Sequence, residues 1–399
     1  MPAAEPFTIR FPEAAVADLR DRLRRTRFAP DMDNDDWSYG VPTAELRRWV
    51  DAWLAFDIRA MEARLNGFDN YRVEIDGVPI HFLHRRGRGP SPMPIILTHG
   101  WPWTYWDWAE TVGPLADPAA FGGDPADAFD VVVPSLPGFG FSSPIREPLG
   151  GPFRNAELWR RLMTEVLGYD RFAAAGGDMG NLVTAQLGHA HPDQVIGVHL
   201  LGAVPFNARP HPNAVAGLEW ETDWGFERPA TPPSNPILAA RPLTPGAPPS
   251  AHRLVQSREP QTLAAGLHDS PAGMLAWLLK CRHFWRDHRT DVRTSFTEEF
   301  LLTTFSIYWL TETLWSSVRA YRARQQAPWT PAHDRTPLVE APTGITFFEY
   351  DQTSRSRFWV DGYYNLVRVG YSDRAGHFAP AEAPAVVVEE IRQTFRLLR

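Results

Sequence analysis

Cysteine and lysine are nearly absent: Cys281 and Lys280 are the only ones in a chain of 399 residues. A single cysteine excludes an internal disulfide and any cage of thiolate metal ligands, and it fits a reducing compartment. A single lysine leaves a Schiff-base mechanism resting on one residue inside a helical-looking run, which argues against it. Residues 1–30 lack an apolar leader core and no stretch reaches membrane length, so the sequence reads as cytoplasmic with no membrane partner. The net charge of −7 shows no block asymmetry, which argues against a nucleic-acid partner. What remains is a globular chain with room for one elaborated α/β domain or two intimate ones, whose partners are small molecules. No cofactor and no metal are expected.

Apolar positions recur at helical spacing over 13–28 and 44–65, including Leu46, Trp49, Val50, Trp53, Leu54 and Phe56. Period-two patterns at Tyr71–Ile75 and Ile80–His84 flank Asp76-Gly77 and predict a β-hairpin. Buried-strand runs follow at Ile95–Thr98, Phe129–Val133, Phe172–Ala175 and Val195–Leu201, with a helical pattern between the second and third. Strands alternating with helices predict an α/β fold with a mainly parallel central sheet. From Phe206 to Ser250 proline and glycine are dense, and from Gln261 to Tyr321 the chain is helical and rich in Trp and Phe, which reads as an inserted helical lid. Strand patterns return at Ile345–Phe348 and Leu366–Val369, before a final amphipathic helix over Val386–Leu398. The implied division is an N-terminal helical segment (1–70), a first core part (71–205), a lid (206–334) and a second core part (335–399).

The run Gly176-Gly177-Asp178-Met179-Gly180 closes one buried strand and opens a helix, the pattern of a nucleophile elbow with Asp in place of Ser. A carboxylate attacks carbon poorly unless a good or activated leaving group is present, so Asp178 points to epoxide or carbon–halogen opening rather than ordinary ester hydrolysis. His99-Gly100-Trp101-Pro102 follows the first buried strand, where the Trp101 amide is placed to join that of Met179 around a developing oxyanion. Asp351 and His377 follow the last two strand patterns, and the order nucleophile, acid, histidine is that of α/β-hydrolases. His377 then reads as the base for water, with Asp351 fixing its tautomer.

Several stretches are long enough to be specific. They include the Phe-Pro-Glu start at Phe11, Asp36-Trp37-Ser38-Tyr39-Gly40, the Ile75–Phe82 hairpin, His99-Gly100-Trp101-Pro102 and Pro134–Ser142. Gly176-Gly177-Asp178, Asp269-Ser270-Pro271 and Gly376-His377-Phe378 belong with them. Together they resemble the microsomal-type epoxide hydrolase family, nearly end to end. The resemblance implies that Asp178 attacks an oxirane carbon to form an ester, that the Trp101 and Met179 amides form an oxyanion hole, and that His377 with Asp351 hydrolyses the ester to a vicinal diol. Asp351 is preferred over Glu349 because its spacing to Trp359 matches the family's. The family also uses two lid tyrosines as donors to the oxirane oxygen. Tyr321 matches the second, but the first position falls on His252, and no tyrosine occurs between Tyr169 and Tyr308. His252 is then a donor, a proton source if charged, or a pocket-lining polar residue. Met179 and Trp103 also depart from the family, which places Trp and a small residue there.

The leading expectation is a soluble epoxide hydrolase acting on an apolar epoxide with water, its pocket walled by Trp103, Trp277, Trp285 and Trp309. A dehalogenase or specialised biosynthetic hydrolase using the same Asp178 is the alternative, and a weakly catalytic ligand-binding relative is a third. A homodimer through lid faces is left open.

Overall fold

The computed structural model describes residues 3–148, 150–206, 235, 251–327, 329–351 and 358–399. The proline-rich lid entrance expected over Phe206–Ser250 lies outside the described residues except for Phe206 and Asn235. Asp76 and Gly77 take left-handed φ values of 51° and 75°, the pair that a two-residue hairpin turn requires, and Ile75 faces Val78 across it. The turn joins β2 (Asn70–Ile75) to β3 (Val78–Arg85), and β1 (Glu5–Pro6) pairs with the outer edge of β2.

The hairpin is the antiparallel flank of a nine-stranded sheet of order β1-β2-β3-β5-β4-β6-β7-β8-β9. The remaining strands, β4 (Met93–Thr98), β5 (Phe129–Pro134), β6 (Phe172–Gly177), β7 (Val195–Leu201), β8 (Val339–Phe348) and β9 (Tyr364–Ser372), run parallel to one another. From β4 the chain steps outward to β5 and then returns to β6 on the other side, so the topological switch lies between β4 and β6. Ligand crevices of open α/β sheets form there, beyond the carboxyl ends. Thr98 pairs with Gly176, which brings the loops that follow the two strands side by side. β6 is fully buried and reads Phe-Ala-Ala-Ala-Gly-Gly, small side chains that let helices approach the middle of the sheet closely.

The helical stretch expected over 44–65 is two helices, α2 (Thr43–Ala55) and α3 (Ile58–Leu65), after α1 (Glu13–Arg24). The Asp57 carboxylate accepts the amides of Arg59 and Ala60 and so caps a new start where one continuous helix was expected. Ala109–Ala116 forms α4, Gly151–Arg161 forms α5, and Met179–Ala190 forms α6, which is buried on nearly every side. The lid helices are α7 (Ala251–Arg258), α8 (Pro260–Asp269), α9 (Pro271–Trp285), α10 (Val292–Ser295), α11 (Glu298–Leu310), α12 (Leu314–Val318) and α13 (Ala320–Gln326). Among the described residues they begin at Ala251, ten residues before the expected Gln261. After β9 come α14 (Ala379–Glu382) and α15 (Pro384–Arg396), whose Val387, Val388, Ile391 and Phe395 are buried. Each such side chain contributes about 1.5–3 kcal/mol of apolar burial. The N-terminal helices pack on the lid as well as the core: the Trp53 indole donates to Ser306 Oγ at 2.9 Å. Among the described residues no helix is long and apolar enough to cross a membrane.

Candidate active site

Asp178 sits between β6 and α6 with φ 54° and ψ −121°, a left-handed conformation that a non-glycine residue holds at a cost of about 1–3 kcal/mol. The strain pushes its carboxylate out of the turn toward the crevice. Crowding explains the neighbouring glycines: a Cβ on Gly180 would collide with the Thr98 carbonyl, and one on Gly100 would lie 2.7 Å from the Asp178 carboxyl carbon.

One Asp178 oxygen, Oδ1, accepts the Trp101 amide at 2.8 Å, and the Met179 amide also bonds the carboxylate. The other, Oδ2, lies 3.3 Å from His377 Nε2. That approach lacks hydrogen-bond alignment, so Nε2 has no directed acceptor among the described residues. His377 Nδ1 is 3.1 Å from Asp351 Oδ1, and both side chains are 5% exposed. Burial alone would raise the Asp178 pKa, but His377 and the two amides hold it below the usual carboxylate range. For His377 burial likewise opposes charge, yet the carboxylates of Asp351 and Asp178 outweigh it and push the imidazole up to about 10. The contact found for the Glu349 carboxylate is with the Tyr371 hydroxyl, which donates to it.

Three devices hold this geometry. His99 Nδ1 donates to the Gly100 carbonyl at 2.9 Å and Nε2 accepts the Leu136 amide at 3.0 Å, which fixes one neutral tautomer; burial lowers its pKa to about 4. Arg282 forms a two-pronged ion pair with Asp107 at 2.7 and 3.0 Å, the side chains 1% and 0% exposed, and donates to the Pro102 carbonyl at 3.2 Å. Asp107 in turn accepts the Thr104 amide. Around His377, the Glu382 carboxylate accepts the amides of Asp287, Gly376 and Phe378 at 2.7, 3.1 and 2.9 Å, tying the histidine loop to the lid. Burial raises the Glu382 pKa to about 7 against those amides. The His377 amide itself donates to the Trp285 carbonyl at 2.7 Å.

On the lid side, the His252 ring stacks on Trp101 at 5.4 Å, and Tyr321 stands edge-on to both, at 5.6 Å from His252 and 5.8 Å from Trp101. Burial keeps the Tyr321 hydroxyl protonated, its pKa raised well above the ordinary value. Burial drives His252 the opposite way, well below the ordinary histidine value, with Arg253, Lys280 and His377 adding to it. The ring is therefore neutral, which removes the charged proton source from the options for His252 and leaves a single N–H donor. Its Nδ1 is buried with no hydrogen-bond partner among the described residues.

A cleft opens over Asp178. Its apolar walls are Leu136, Pro137 and Phe139 after β5, Pro152 of α5, Leu182 and Val183 of α6, and Val204 after β7; Tyr321, Arg324, Arg253 and Asn155 supply polar groups. Of the expected tryptophan walls, Trp285 lies 5.3 Å edge-on from His377, bordering the histidine. Trp103 is fully buried behind it, 5.7 Å from the His377 ring. Trp309 faces another groove altogether, with Ala15 and Arg22, because its side of α11 packs toward α1. Trp277 lies under Lys280, 5.1 Å from its ring centroid, and is not among the described residues lining this cleft. The sequence reading missed Glu382, Arg253 and Arg324, which no spacing or motif singles out. Phe139 and Leu136 lay inside a noted motif without an assigned role.

Among the described residues no group of three or more His, Cys, Asp or Glu side chains is arranged to hold a metal ion. Residues 4–108 match the family model described as epoxide hydrolase N terminus, and 93–258 match the alpha/beta hydrolase fold. The chain is 36% identical to a Stigmatella aurantiaca protein named "Putative epoxide hydrolase", over 99% of this chain and 85% of that one. It is 27% identical to epoxide hydrolase 1 of Sus scrofa, over 98% of this chain and 88% of the relative. The solved structure of Aspergillus niger epoxide hydrolase superposes with a TM-score of 0.77 at 26% identity, covering 100% of this chain and 97% of that one. The chain belongs to the epoxide hydrolase family of the α/β-hydrolase superfamily.

Proposed function

We propose that this chain opens an epoxide to a vicinal diol through an alkyl ester on Asp178. One observation carries the reading: the Asp178 carboxylate is gripped by the Trp101 amide on one oxygen and faces the Asp351-paired His377 with the other. Asp178 attacks an oxirane carbon, and the carbon–oxygen bond breaks as the ring oxygen takes a proton from Tyr321, with the His252 N–H as second donor. Forming the ester removes the negative charge that sustains the high His377 pKa, so the imidazole gives its proton, by way of water, to the Tyr321 phenolate, restoring the phenol, and becomes a base when one is needed. Water then adds to the ester carbonyl while His377 takes its proton, and the Trp101 and Met179 amides hold the oxyanion. Collapse expels the diol, protonated by His377, and restores Asp178.

Two neutral donors above the nucleophile favour an oxygen leaving group over a halide. Product analysis tests this: purified protein should convert styrene-type and bulky aliphatic epoxides to diols. Halide release from haloalkanes with no diol from any epoxide would replace the reading with dehalogenation.

A further inference from the structure

Three aromatic rings stand nearly at right angles to the His377 imidazole: Trp103 at 5.7 Å and 78°, Trp285 at 5.3 Å and 85°, and Phe378 at 5.2 Å and 81°. Trp103 reaches the nucleophile elbow as well. A Cβ built on Gly177, the residue before Asp178, would lie 2.6 Å from Trp103 Cη2, so the far edge of the indole rests against the elbow backbone. The side chain is fully buried, with Trp108 and Phe378 packed beside it at 6.4 and 6.0 Å. Its base is fixed too: the Tyr308 hydroxyl donates to the Trp103 carbonyl at 2.7 Å, and Arg282 donates to that of Pro102. A rigid indole, anchored by the lid, thus spans from the elbow to the histidine.

That span matters most after the first chemical step. In the resting pair the charge on Asp178 draws His377 Nε2 to within 3.3 Å. Once Asp178 is a neutral ester the attraction is gone, and the imidazole keeps its contact with Asp351 at Nδ1. One hydrogen bond fixes a point of the ring and leaves its plane free to swing; rings standing against it fix the plane. We infer that Trp103 is a positioning residue for the second half of the reaction, spacing His377 from the elbow and holding Nε2 over the Asp178 ester while water is activated; this rests on the epoxide-opening reading above. Attack on the epoxide does not share the dependence, since the Asp178 carboxylate is oriented by the Trp101 and Met179 amides.

Single-turnover rapid quench with one styrene-type epoxide measures ester formation and ester hydrolysis separately in wild type, Trp103→Phe and Trp103→Leu. Both variants keep an apolar side chain and the backbone bonds from Tyr308 and Arg282. Hydrolysis should slow by about tenfold in Trp103→Phe, whose shorter ring leaves a gap at Gly177, and by about a hundredfold in Trp103→Leu, while ester formation stays within about threefold of wild type. As hydrolysis becomes limiting, kcat and KM should fall together and leave kcat/KM nearly unchanged, whereas a loss of folded enzyme lowers kcat alone. The leucine variant leaves a cavity in the core, so if it does not fold the phenylalanine variant carries the test by itself. Hydrolysis at the wild-type rate in a folded variant, or equal slowing of both steps, would overturn the inference and leave the ester standing. No ester in the wild type with any epoxide would overturn the reaction reading and this inference with it.

Discussion

Asp178 Oδ2 and His377 Nε2 lie 3.3 Å apart, so each holds the other in its charged form. In the proposed mechanism the resting enzyme therefore keeps an ion pair in which the nucleophile is ionised and the base is not yet a base. Nucleophilic attack needs the first condition, and water activation needs the second to be undone.

The pH behaviour follows from this pair. Alkylation of Asp178 should be flat across neutral pH, since its carboxylate ionises below the usual range. Ester hydrolysis should rise with pH, with a midpoint below the resting His377 value of about 10, because the ester no longer supports the imidazolium. Rapid-quench measurement of the two steps checks this, and pH-independent hydrolysis would contradict it. The same raised pKa is a stability term: it is complete below the ordinary value of about 6.5 and lost as pH rises through about 10.

Asp351 and Glu349 make different contacts, the first with His377 and the second with Tyr371. Asp351→Asn should lower kcat by about 10³–10⁴, as in a histidine left in the wrong tautomer. Glu349→Gln should change kcat by less than about threefold, since it leaves the His377 contacts in place. Steady-state kinetics on one epoxide decides between them.

For the lid donors, Tyr321→Phe should cost about 10²–10³ in kcat, the scale of one lost oxyanion-type donor. His252→Phe keeps the stack on Trp101 but removes the N–H, and should cost about tenfold while leaving the acid side of the pH profile unchanged, because the buried ring is already neutral. An acid limb abolished by His252→Phe would restore it as a charged proton source.

The Arg282–Asp107 pair predicts a stability effect. Asp107→Asn should destabilise by about 3–5 kcal/mol in urea titrations, since it leaves a guanidinium buried without its counter-charge. The double variant Asp107→Leu with Arg282→Met should recover much of that loss. Equal loss in the double variant would assign the cost to the bond from Arg282 to Pro102.

The parallel sheet, the hairpin and the elbow were legible in the sequence because each depends on local signals: period-two runs, Asp76-Gly77, and glycines packed about Asp178. The break at Asp57 was not, since a helix-compatible pattern runs through it and only the cap divides it. Trp277, Trp285 and Trp309 were read by type, but which face of α9 or α11 meets the cleft is decided by packing against α1 and the core. Glu382 escaped notice because its partners are backbone amides, which leave no pattern in the residue types. The neutral state of His252 is likewise a product of burial that composition cannot reveal.

The central claim is the ester on Asp178, and a single turnover in oxygen-18 water with enzyme in excess tests it most directly. The account predicts an unlabelled diol and one heavy oxygen in the peptide containing Asp178, passed to the diol on the next turnover. Label in the diol on the first turnover, with none in Asp178, would mean that water attacks the epoxide directly and would contradict it.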